Sequence, residues 1–237
     1  MRLDVLLLPC ELPVRLRPES SAVVIDVLRA TTSIVVAFAN GCRSILPVAS
    51  VEEAVRARTA DPAVVLAGEM GGLRVEGFDL GNSPREFTRA AVGGRDVVLT
   101  TSNGTKAMRA LGPGRTVAMG ALRNRAAVGD WLVARGDDAL IVCAGYEGAF
   151  SLEDALCAGA IVDHAAQRSS QLSPGDGAQA CRILWERLGS ELPALLGGTG
   201  WGERLRRLGL EPDLALCGVV DATDVVPVMR DGRITTD

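Results

Sequence analysis

Lysine is almost missing from this chain. All but one of its 25 basic residues are arginine, and the exception, Lys106, falls inside the stretch TTSNGTKA. Aromatic residues make up 3% and the net charge is −4, so there is neither the basic footprint nor the stacking surface that nucleic acid requires. One histidine and six cysteines without a C-x-x-C pair exclude the usual zinc sites. Most of the cysteines lie among Ala, Val and Leu and read as small buried hydrophobes in a reducing compartment. No apolar run approaches the ~18 residues of a membrane span. Charges recur from Met1 to Pro18, a stretch that reads as strand and loop instead of a secretion signal. A cytoplasmic protein is expected.

What is present is an alternation. Apolar, β-rich runs at 3–8, 22–26, 44–48, 63–67, 96–100, 115–118 and 138–143 are mostly followed by segments of helical spacing at 31–40, 51–60, 84–92, 104–111, 121–134, 151–168 and 176–188. Gly41, Gly112 and Gly136 stand where helix exits need them. Short helices follow after about residue 174, and a last strand is expected near 224–229. This rhythm predicts an α/β fold, a three-layer α/β/α arrangement around a largely parallel sheet, within one domain over 1–237 that divides, if anywhere, near 120. The pattern S-[IL]-x-x-A-[FL]-x-x-G occurs at Ser33–Gly41 and again at Ser151–Gly159. Such an echo suits two pseudo-related halves packed as one unit, although amphipathic helices also produce it.

Chemistry-bearing residues gather at predicted strand ends, where open α/β sheets place ligands. After AVVID come Asp26, Arg29, Thr31, Thr32 and Ser33. The hydroxyls suit helix capping, but an acid and an arginine three residues apart at a sheet edge need partners or a ligand. After DVVLT, Ser102, Asn103, Gly104 and Thr105 form a turn able to hold phosphate oxygens, with Lys106 as a compact positive charge; no Walker A pattern is present. Glu69 comes just after the strand at 63–67, as Asp26 stands at the end of another, and the loop behind it carries Asn82 and Ser83, the latter a candidate cap with Pro84 at the first helical position. Glu147, Glu153 and Asp154 follow the strand at 138–143; the last two also suit the first turn of a helix on dipole grounds. Hard carboxylates without histidines favour Mg²⁺, with Asp26 and Glu69 as ligands. The chemistry is phosphoryl transfer to water, with Asp26, Arg29 and Lys106 catalytic. His164 falls inside a helix and reads as structural.

Taken in order, DVLRATTS, GFDLGNSP, TTSNGT and CAGYEG followed by the Glu153–Asp154 pair resemble the 2-phosphosulfolactate phosphatase family, with TTSNGT standing where that family has TTTNGT. The resemblance implies an α/β/α fold and Mg²⁺-dependent hydrolysis of (R)-2-phospho-3-sulfolactate, a step of coenzyme M biosynthesis, or of a related 2-phospho acid. Carried over by position, Asp26, Arg29, Thr31 and Thr32 fall on the first motif, and Gly81, Asn82, Ser83 and Pro84 on the second. Ser102 to Thr105 fall on the third, and Glu153 with Asp154 on the fourth. The expected partner is a small anionic phosphate ester, and a homodimer is the default assembly. The rival reading is a non-catalytic anion-binding protein that uses the same cradle. Asp26 can serve either as metal ligand or as nucleophile.

Overall fold

Strands without alternation belong in the middle of a sheet, and two of them are there. In β2 (Ser21–Ile25) and β8 (Ala139–Cys143) every residue is buried, because helices cover both faces. The computed structural model describes residues 1–12, 21–112 and 114–236. Of the strand and loop expected over Met1 to Pro18, residues 13–18 lie outside these. The other strands are β1 (Arg2–Leu6), β3 (Ser44–Pro47), β4 (Val65–Met70), β5 (Leu73–Arg74), β6 (Asp96–Thr100), β7 (Val117–Gly120), β9 (Ser173–Pro174), β10 (Val228–Arg230) and β11 (Arg233–Thr235). The helices are α1 (Ala30–Ala39), α2 (Val51–Ala60), α3 (Arg89–Val92), α4 (Gly104–Ala110), α5 (Arg125–Arg135), α6 (Leu152–Arg168) and α7 (Asp176–Leu188). Three shorter ones follow, α8 (Leu192–Gly198), α9 (Gly200–Arg207) and α10 (Glu211–Cys217). No helix among the described residues is long and apolar enough to cross a membrane.

The 11 strands among the described residues join one sheet in the order β5-β4-β6-β3-β11-β10-β7-β2-β8-β1-β9. It is largely parallel, as expected. One parallel block is β4-β6-β3 and the other β7-β2-β8-β1-β9. The antiparallel hairpin β10–β11 is wedged between them, so the blocks run in opposite directions. In a flat sheet β2 and β6 would be ~24 Å apart, yet a β-carbon on Gly104, just after β6, would lie 2.7 Å from the Asp26 carboxylate after β2. The sheet therefore folds back around α1 and α4. One apolar cluster contains Val24 of β2, Leu99 of β6, Ile34 of α1 and Met108 of α4 together. On the outer faces α5, α6 and α7 cover one block and α2 the other. Each block thus has helices on both sides and shares the central pair.

The differences from the expected elements have local causes. The strand expected at 224–229 begins only at Val228, and its partner β11 follows a two-residue Asp231–Gly232 turn with φ of 50° and 78°, the left-handed pair that tight hairpins use. The helix expected over 84–92 is broken into a 3₁₀ turn at Pro84–Glu86 and the single turn α3. Ser83 does not cap it, because its hydroxyl donates to Asp213 instead. β4 runs on to Met70, so Glu69 lies within the strand and not after it. The echoed segments belong to β2–α1 and β8–α6, neighbours in one block, and Ser33 sits inside its helix whereas Ser151 caps the other. Five of the six cysteines are buried and all are free; Cys10 is exposed. His164 sits in α6 and bonds Asp130 at 3.1 Å.

Candidate active site

The chain leaves β2 at Asp26 and closes at once on α1. The Asp26 amide donates to Thr31 Oγ1 at 3.0 Å, its carbonyl accepts the Thr31 amide at 3.0 Å, and its Oδ1 accepts the Ala30 amide at 3.3 Å. Its Oδ2 faces Gly104, where a β-carbon would stand 2.7 Å away. Glycine is thus what lets α4 approach the carboxylate. Burial first, then the Glu69 and Glu153 charges, push the Asp26 carboxyl up to about 6, against the opposing pull of the Ala30 amide and Arg29.

Two more acids join it from the first turn of α6, which Ser151 caps by accepting the Asp154 amide at 3.2 Å. Asp154 stitches two strand ends together. Its Oδ1 accepts the Val27 amide at 2.9 Å and its Oδ2 the Gly145 amide at 3.1 Å. Burial, Asp26 and Glu153 raise its pKa well above the ordinary carboxylate range, while those two amides oppose the shift. Glu153 is buried and raised as well, chiefly by desolvation, with its own amide and the Thr199 and Ser151 hydroxyls opposing. The three acids, with Asn103, line a narrow cleft walled by Leu28, Tyr146 and Trp201. The two aromatic rings meet at 5.0 Å between centroids. The space inside the cleft is small, with room for a single ion or water. No three His, Cys, Asp or Glu side chains converge into a complete metal cage among the described residues.

The remaining candidates surround this cleft instead of lining it. Arg29 is 2% exposed and engaged: Nη1 donates to Asp213 Oδ2 at 2.8 Å and Nη2 to the Gly72 carbonyl at 2.7 Å, while its buried Nε has no partner. Glu69 receives the amides of Gly72 and Ser102 on its two oxygens, both at 2.7 Å. It ties two loops together. The Ser102 contact is made by backbone, so serine in place of threonine in this motif leaves it intact. Thr32 donates to the Val27 carbonyl and Thr105 to the Thr101 carbonyl, and with Thr31 they are fully buried. Asn82 is buried with an unpartnered Oδ1. Lys106 is exposed on α4 and lines an adjacent groove with Ser50, Glu52, Glu69 and Ser102. Glu147 stands at the exposed tip of a hairpin turn with φ 51°.

Asp213, absent from the expected set, is the hub of the outer network. It is 1% exposed and accepts from Ser83 Oγ at 2.6 Å as well as from Arg29. The signal for it was available: in LEPDLALC it lies four residues before Cys217, on the helix face whose Leu214 and Cys217 are buried. Tyr146 and Trp201 were also missed, although a chain with one tyrosine and three tryptophans offers few choices.

A carboxylate cluster with hard oxygens, walled by aromatic rings at the meeting of two strand ends, suits one small hard cation at its floor, which an anionic ligand would reach from the mouth. The family model described as 2-phosphosulpholactate phosphatase matches residues 6–232. The chain is 39% identical over 229 residues to a probable 2-phosphosulfolactate phosphatase of Thermotoga petrophila, covering 97% of this chain and 96% of the relative. It is 39% identical over 215 residues to one of Symbiobacterium thermophilum, covering 90% and 92%. A third, from a Synechococcus species, is 40% identical over 215 residues, covering 87% and 88%. With the family model matching from Leu6, at the end of β1, through the strand-end loops to Gly232 in the turn of the closing hairpin, the chain belongs to the 2-phosphosulfolactate phosphatase family.

Proposed function

We propose that the protein is a Mg²⁺-dependent phosphatase that hydrolyses (R)-2-phospho-3-sulfolactate, or a related 2-phospho acid, to the 2-hydroxy acid and phosphate. One observation carries the reading. Asp26, Glu153 and Asp154 share a cleft with no ion-pair partner on any of the three among the described residues, and burial raises each of them. Three such carboxylates repel a phosphate dianion and favour a divalent cation. Asp26, through Oδ2, and Glu153 suit Mg²⁺, which binds through one or two carboxylates and takes its other ligands from water and phosphate. Glu69, with both oxygens on backbone amides, suits that role less. When bound, the cation neutralises phosphate charge and acidifies water.

The chain's own residues do the rest. Asp154 fixes Val27 and Gly145, and so sets the spacing of the two strand ends that carry Asp26 and Tyr146. Asn103 offers an amide to phosphate oxygens. Leu28, Tyr146 and Trp201 exclude bulk water, which strengthens every polar contact inside. The test is phosphate release from a panel of 2-phospho acids with Mg²⁺ or EDTA, for the wild type and Asp26→Asn. Release that needs Mg²⁺ and is lost in a folded Asp26→Asn protein supports the reading. No release from any member, with binding retained in both proteins, would favour an anion-binding protein.

A further inference from the structure

The cleft floor is acidic, so a substrate with a second negative group beyond its phosphate needs a cation outside that floor. Few are at hand. Arg29 is buried against Asp213 and Gly72, and Lys106 lines the neighbouring groove with two glutamates. Helix α9 supplies the others. Trp201, in its first turn, forms the cleft wall with Tyr146, and Arg204 follows three residues later, one helical turn on and along the same side. The Tyr146 hydroxyl feels both Arg204 and Arg207, which oppose the upward push of burial and Glu147. Arg207 is paired with Glu203 at 3.0 Å, and Arg206 lies against Gly197 and pairs with Glu211 at 3.6 Å. Arg204 is exposed and has no ion-pair partner among the described residues.

We infer that Arg204 determines specificity at the cleft rim by binding the distal sulfonate or carboxylate of a 2-phospho acid, an inference that rests on the phosphatase reading. The planar guanidinium on a solvent-facing turn suits a terminal oxyanion, while the aromatic pair beneath it separates that group from the acidic floor. Because the contact is partly solvated, its loss should cost about fivefold and should shrink in high salt.

The experiment compares wild type, Arg204→Ala, Arg204→Lys and, as a charge control on the same helix, Arg206→Ala. Phosphate release is followed with 2-phospho-3-sulfolactate and with 2-phospholactate, which has a methyl in place of the distal acid. Binding of unphosphorylated 3-sulfolactate is measured by calorimetry in parallel. The expected result is that Arg204→Ala raises KM for the sulfonate ester about fivefold, on the order of an exposed ion pair. kcat and the phospholactate kinetics should stay unchanged, Arg204→Lys should recover part of the loss, and Arg206→Ala should behave as wild type. Equal effects on both esters, no effect on either, or unchanged 3-sulfolactate affinity would overturn the inference. If the wild type hydrolyses neither ester but Arg204→Ala still weakens 3-sulfolactate binding, the phosphatase reading fails and the rim site stands.

Discussion

Replacing Asp213 by alanine removes the one carboxylate that two buried donors share. Its side chain and that of Arg29 are each 1% exposed, so the guanidinium left behind cannot regain water. Ser83 loses its acceptor as well. Breaking a buried ion pair from one side costs about 3–5 kcal/mol, and a stranded hydroxyl about 1–3 kcal/mol. The two costs overlap, since Arg29 and Ser83 share one acceptor. A net loss of about 3–5 kcal/mol is a large part of a typical domain's stability. For a chain of this size it lowers Tm by on the order of 10 °C. Urea unfolding of the wild type, Asp213→Ala, Arg29→Met and the double variant Arg29→Met/Asp213→Leu measures it. The double variant should be more stable than Asp213→Ala, because no buried charge is left alone. A loss below about 1 kcal/mol for Asp213→Ala, or additive losses in the double variant, would refute the buried-pair account.

Three further outcomes follow from the same geometry. Gly104→Ala puts a β-carbon 2.7 Å from both Asp26 Oδ2 and the Ala30 β-carbon; it should cost about 1–3 kcal/mol in unfolding experiments and lower phosphate release, and wild-type behaviour in both would contradict the packing. Burial holds Asp26 at about 6 against an ordinary 3.8, so its folded form binds the proton more tightly than the unfolded chain. Metal-free stability should therefore decline as pH rises from about 4 through about 6, by on the order of 3 kcal/mol from this group. Glu153 and Asp154 add in the same direction. Asp96, held at about 2 chiefly by Arg43, loses its contribution only below that window. Thermal scans in EDTA and in Mg²⁺ check this: Mg²⁺ should flatten the decline, and a pH-independent Tm in EDTA would count against it. Glu147→Asn should leave turnover unchanged and raise stability by up to about 1 kcal/mol, because Glu147–Gly148 adopts the left-handed pair that Asn-Gly favours. A loss of activity would return Glu147 to the site.

The alternation of apolar runs with helical spacing determined most elements by itself, because buried parallel strands leave unbroken aliphatic runs and helices leave a periodic face. It also located the strand ends that matter: Asp26, Asn103, Glu153 and Asp154 come from three of the quoted motifs and meet in one cleft. A last strand near the end of the chain was legible as well, whereas the Asp231–Gly232 turn and the returning strand β11 came only from the structure. What a residue type cannot disclose is which partner reaches it first. Arg29, Glu69, Thr32 and Ser83 have the chemistry of a substrate site, yet the fold gives each of them a buried internal partner. Asp213 supplies two of those contacts from 184 and 130 residues away, and Trp201 closes the cleft from a helix near the other end of the chain. Local pattern carries propensity and periodicity. The long-range return of α9 and α10, and the folding of the sheet around α1 and α4, decided which polar groups face the cleft and which hold it together, since a buried donor or acceptor must be satisfied by whatever the tertiary structure brings within hydrogen-bonding distance.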